Sequence, residues 1–194
     1  MYVAVQHRHA VGCEMKQIII AVALSIAAMP LTAQTTGSGA TAVGALKSEW
    51  QEIAGYISKA AEQMPEADYA FRPTPEVRTF GELIGHLAGA QYLICAAALG
   101  EPSNVGEDAY EKQKLGKAAL VAAFKSSNAY CERAYAQPDA GMSAMTKLFG
   151  GERTRLAALA RNTIHDGEHY GNIVTYLRIK GMIPPSSQRA PTGQ

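Results

Sequence analysis

The stretch Glu152–Gly181, ERTRLAALARNTIHDGEHYGNIVTYLRIKG, carries Leu156, Leu159, Thr163, Tyr170, Val174 and Leu177 at helical steps. Apolar positions that return every three or four residues line one face of a helix, so the spacing predicts a helix over residues 152–180. Gly181 suits a left-handed C-terminal cap, and Pro184-Pro185 keeps the helix from resuming. His165 and His169 stand four apart within this helix, so their imidazoles project from one face a turn apart.

Working outward, three more helices emerge. Leu46, Trp50, Ile53 and Ile57 predict a helix over 41–64, which Pro65 stops. Pro73 and Pro75 keep the following segment out of helix, and Tyr69 and Phe71 within it are expected to pin it by packing. Thr79 with Glu82 three residues on has the pattern of a capping box. The helix it opens, over 80–99, turns Phe80, Leu83, Ile84, Leu87, Gln91 and Ile94 inward and ends at Gly100 and Pro102. Residues 100–115 form a connection long enough to cross an end of a bundle. A third helix follows over 116–136, with Leu120, Ala123, Phe124 and Tyr130 on its apolar side; a loop holding Phe149-Gly150-Gly151 leads to the last helix. Four helices of about twenty residues make an all-α four-helix bundle over 41–187, with a loose polar tail over 188–194.

Composition narrows the function. The chain has 194 residues and a formal net charge of +1, without the basic excess expected of a nucleic-acid binder. From Met15 to Ala33 a lysine, a short apolar core, Pro30 and a small residue follow in the order of a secretory signal peptide. The apolar run is shorter than the ~20 residues of a comfortable membrane span, although a retained N-terminal anchor is the alternative. Residues 1–14 are too polar for a leader and suggest a start placed upstream of the natural Met15, which removes His7, His9 and Cys13 from the mature chain. Residues 34–40 make a Gly/Ser linker. The expectation is a periplasmic or otherwise secreted protein with no membrane association after leader cleavage. Cys95 and Cys131 lie within helices among small apolar neighbours, and packing as buried free thiols is expected of them over a disulfide.

The remaining histidines are His86, His165 and His169. An i, i+4 pair on one helix chelates a divalent ion without backbone distortion, and His86 on a facing helix supplies a third nitrogen. Helical-wheel arithmetic sets all three on the shoulders of their apolar stripes, near solvent. The competing reading is three hydrogen-bonded structural histidines. Asp166 stands where a zinc protease of the H-E-x-x-H type has its glutamate, and the shorter carboxylate reaches bound water poorly, which argues against proteolysis. Glu168 is expected to be a solvated surface charge. Cys95 lies more than two turns from His86, so no fourth protein ligand presents itself.

Two blocks are also familiar together: Met64–Ala88, MPEADYAFRPTPEVRTFGELIGHLA, and His165–Ser186, HDGEHYGNIVTYLRIKGMIPPS. The chain from about residue 42 to 187 resembles the DinB-like bundle family in both. The resemblance implies an up-down-down-up bundle, often homodimeric, and a three-histidine site for zinc, nickel or a similar ion. Its ligand positions match His86, His165 and His169. Some relatives are thiol-dependent S-transferases or isomerases. The expectation is an exported metal-dependent enzyme, hydrolase or thiol-transferase in type, acting on a small molecule. The rival is a metal-binding or dimeric scaffold of the cell envelope.

Overall fold

The computed structural model describes residues 41–188, and the upstream extension, leader, linker and residues 189–194 lie outside that range. Four helices carry the fold: α1 (Ala42–Gln63), α2 (Phe80–Leu99), α3 (Lys117–Ala134) and α4 (Arg155–Ile179). Their ends obey the local rules. The Thr79 hydroxyl accepts from the Glu82 amide while the Glu82 carboxylate accepts from the Thr79 amide, so the capping box is complete. Gly100 closes α2 at φ 74°, a left-handed conformation that glycine adopts without steric cost.

The core lies in two halves, and they reveal the direction of each helix. One half joins the late part of α1 (Ile57 to Ala61) and its C-cap Met64 to early α2 (Phe80 to Ala88), early α3 (Leu120 to Phe124) and late α4 (Tyr170 to Leu177). The other joins early α1, late α2, late α3 and early α4 around Trp50, Ile94, Tyr135 and Leu159. α1 and α4 therefore run one way and α2 and α3 the other, the up-down-down-up order. α2 packs on both α3 and α4, which accounts for its burial on nearly every side.

Parallel α2 and α3 require a connection that travels back the full length of α2. Residues 100–116 do so along its flank, where the sequence suggests a crossing at the bundle end. Gly85 and Gly89 stand one turn apart and make the room. A Cβ on Gly85 would lie 2.9 Å from the Glu111 amide nitrogen, and one on Gly89 would overlap the Glu107 carbonyl oxygen.

Two further expectations need correcting. Cys95 and Cys131 form a disulfide between α2 and α3, with Cα atoms 5.3 Å apart, because the two helices run parallel and bring their late turns together. The segment before α4 is a hairpin of β1 (Met145–Leu148) and β2 (Gly151–Thr154), so α4 begins at Arg155 and not at Glu152. Phe149 and Gly150 both take positive φ (52° and 74°), as a two-residue type I′ turn requires. Within the bundle the segment after α4 is tied down at Ser186, whose amide donates to the Tyr170 hydroxyl at 2.9 Å.

Candidate metal centre

α2 carries His86 and α4 carries His165 and His169 into the space between the two helices. The His165 Nε2 atom lies 3.2 Å from His86 Nε2 and 3.1 Å from His169 Nε2. The three side chains are the group among the described residues whose nitrogens all approach within 4.8 Å. They are only 4%, 4% and 9% exposed, so the shoulder position drawn from the helical wheel understates their burial. The wheel describes one helix in isolation, and here the loop seated on α2 covers His86 from outside.

The other nitrogen of each ring decides what the cluster can do. His86 Nδ1 lies 3.5 Å from Asp108 Oδ1 and 3.6 Å from Glu111 Oε2. His165 Nδ1 lies 3.9 Å from Asp166 Oδ1, and His169 Nδ1 lies 3.5 Å from the Asn172 amide. Carboxylates beside Nδ1 of His86 and His165 favour the proton there and leave those two Nε2 lone pairs pointing at one another, whereas the Asn172 amide nitrogen beside His169 Nδ1 is a donor. Converging lone pairs at this spacing repel unless a cation lies between them. Two nitrogens held at about 2.05 Å from a common ion stand 3.1–3.2 Å apart when the angle at the ion is about 100°. The donor set and its spacing fit a divalent ion.

Electrostatics keeps His86 and His169 neutral. Burial, then the Arg78 and His165 charges, push the His86 pKa down to about 4, against a smaller opposing pull from Asp108. Burial, then His165 and His86, bring His169 to about 3, with Arg78 and Arg161 adding to the fall. Neutral imidazole is the form that binds metal.

Asp166 is fully buried behind His165, and burial raises its pKa. Its Oδ2 accepts from Gln91 Nε2 at 2.8 Å, and Gln91 Oε1 in turn accepts from the Ser127 hydroxyl at 3.0 Å. It backs the ligand and stands away from the metal-facing nitrogens, so the proteolytic role fails on position as well as length. Glu168 is exposed, as expected. Tyr69 and Phe71 pack: the Tyr69 hydroxyl donates to the Ala61 carbonyl at 2.6 Å, and Phe71 meets Tyr176 edge-on.

The acidic loop is what sequence reasoning missed. Glu107, Asp108 and Glu111 all face His86, with Glu107 Oε1 3.9 Å from its Nε2. Arg78 Nε meets both Glu111 oxygens at 3.1 Å and neutralises that carboxylate. The spacing of Gly85 and Gly89 is the signal that would have brought this loop to the site. A cleft of about 510 Å³ reaches His169 between Pro73, Val77, Arg78, Leu83 and Tyr176.

This bundle with its buried three-histidine cluster has the architecture of a recognised class. Residues 46–173 match the family model of the DinB superfamily, and the chain belongs to that superfamily. Among solved structures it is similar to a DinB-like protein from Bacillus cereus at 14% identity and TM-score 0.62, covering 72% of this chain and 93% of that one. A DinB-like protein from Bacillus subtilis matches at 19% identity and TM-score 0.57, covering 75% and 99%. A mycothiol-dependent maleylpyruvate isomerase matches at 21% identity and TM-score 0.52, covering 78% and 81%. At these identities the likeness is one of fold. No curated protein matches the sequence.

Proposed function

We propose that this chain is an exported, metal-dependent enzyme of hydrolytic type that acts on a small molecule. The observation that carries this reading is the convergence of three buried Nε2 atoms whose opposite nitrogens face carboxylates or an amide. His86, His165 and His169 would hold the ion, zinc or nickel, and a bound ion supplies Lewis acidity. Three histidine donors with no fourth histidine or cysteine beside them among the described residues are the arrangement of a site that also takes an exogenous ligand. Glu107 stands on the Nε2 side of His86, where its carboxylate is able to take a proton from an attacking water. The cleft beside His169 has the size for a small substrate.

Hydrolysis is favoured over thiol transfer by the cysteines. Among the described residues Cys95 and Cys131 are the two cysteines, and both are spent in the disulfide. A disulfide suits the oxidising destination that the leader-like segment 15–33 implies, away from cytosolic thiol cosubstrates.

Metal content of the secreted chain, measured by elemental mass spectrometry, tests the first half of the proposal. About one divalent ion per chain is expected, lost in a His165→Ala/His169→Ala variant. A chain that stays metal-free after loading with zinc, nickel and manganese refutes it. With metal present, a panel of activated esters and amides tests the second half. Glu107→Gln should then lower kcat while metal content holds, and a metal-loaded protein that turns over none of the panel leaves the scaffold role in the lead. Export is checked by the N-terminus of the protein recovered from the periplasm, expected near Gln34; an uncleaved cytosolic chain overturns it.

A further inference from the structure

We propose that Arg153 and Arg161 hold the carboxylate of a small substrate with an apolar body, in a cavity of about 400 Å³ that they line with Glu107 and Phe149. The inference rests on the metal-enzyme reading above and names the substrate class for that site.

The two guanidinium groups come from different elements, Arg153 from β2 and Arg161 from α4. Among the described residues, the arginines in ion pairs are Arg78 and Arg133. Arg153 and Arg161 therefore meet in one cavity with their charges unspent. Arg153 Nε is buried and has no hydrogen-bond partner. Arg155 Nε is likewise buried without a partner, but its guanidinium packs against Gly100 at the C-terminal end of α2 and does not line the cavity, so the lining by Arg153 and Arg161 is what marks the site.

The cavity is connected to the histidine cluster at two points. Glu107 lines it and also lies 3.9 Å from His86 Nε2, the nitrogen that faces the other two histidines. Arg161 precedes His165 by four residues, so the two share a face of α4. The Arg161 charge contributes to the low pKa of His169, as a neighbour of the cluster should.

The lining also selects the ligand. Two guanidinium groups and one carboxylate leave a single positive charge, which one carboxylate balances. A dianion would face Glu107 with excess charge. Arg forks match a planar carboxylate through paired hydrogen bonds. Phe149, at the tip of the hairpin and 44% exposed, offers an apolar face for the rest of the molecule. A monocarboxylate with an aromatic or aliphatic body fits this set, held so that its reactive part lies toward the Nε2 side of His86.

Benzoate is a suitable probe, titrated by calorimetry into the zinc-loaded full chain, with inorganic phosphate beside it and zinc content measured on every sample. Benzoate should bind, and Arg153→Gln/Arg161→Gln should weaken it at least tenfold while zinc content is unchanged. Phe149→Ala should weaken benzoate more than acetate. Zinc-loaded protein that does not bind benzoate overturns the carboxylate site and leaves the metal reading standing. Tighter binding of phosphate than of benzoate overturns the assigned class. Equal benzoate affinity in wild type and the double variant overturns the role of the two arginines. A chain that takes up no zinc yet binds benzoate through both arginines separates the two readings, since the metal reading then fails and the link between cavity and metal fails with it.

Discussion

Replacing Gly89 by alanine tests whether the glycine stripe of α2 is what brings the acidic loop to His86. The new Cβ would overlap the Glu107 carbonyl oxygen and lie 2.7 Å from the Gly106 carbonyl oxygen, both of them backbone atoms. The loop would have to lift by roughly 1 Å, and overpacking of this kind costs about 1–3 kcal/mol. Alanine gains about 1 kcal/mol over glycine in a helix interior, so the net loss should be about 0–2 kcal/mol. Gly55 on α1 is the control, because a Cβ there meets nothing within 4 Å. Gly55→Ala should gain the full ~1 kcal/mol and raise Tm by about 2–4 °C. Lifting the loop also draws Asp108 away from His86 Nδ1, and losing such an outer partner weakens metal binding about 10–100-fold. Thermal unfolding and competitive zinc titration of both variants measure these effects. The reasoning is refuted if Gly89→Ala stabilises the protein as Gly55→Ala does and binds zinc as the wild type does.

Other consequences are open to direct measurement. Removing the disulfide by Cys95→Ala/Cys131→Ala frees a loop of 36-residue separation and should cost about 3–4 kcal/mol by chain entropy, read from urea unfolding; a loss below about 1 kcal/mol would contradict it. His86 and His169 titrate at about 4 and about 3 in the fold, against about 6.5 in an unfolded chain, so the unfolded state binds more protons once the pH drops below that value. Stability of the metal-free protein should therefore be unaffected by these groups above pH 7 and fall by about 2 kcal/mol between pH 6 and 5. Urea midpoints at each pH check this, and a His86→Gln/His169→Gln variant should flatten the dependence. Gln91→Ala leaves the buried Asp166 without its amide donor and should destabilise the fold by about 1–3 kcal/mol, whereas an unchanged midpoint would mean that Asp166 finds another partner.

The helices were legible because each carries its own signals. Pro65 ends α1, Thr79 with Glu82 opens α2, and Gly100 and Gly181 close α2 and α4 through local geometry that the chain specifies within a few residues. The i, i+4 spacing of His165 and His169 is equally local. The hairpin before α4 was missed because four-residue strands offer too short an alternation to register, and because a phenylalanine at positive φ is an uncommon turn residue.

The amino-acid sequence by itself determined four amphipathic helices, their ends and the three imidazoles, since propensity, capping and periodicity act over a few neighbouring residues. Only the tertiary structure decided which nitrogens face one another, that Cys95 meets Cys131, and that Glu107, Asp108 and Glu111 stand over His86. Those outcomes depend on α2 and α3 running parallel and on a loop returning over Gly85 and Gly89. Contacts between segments far apart in the chain are set by packing, which no local pattern of residues contains.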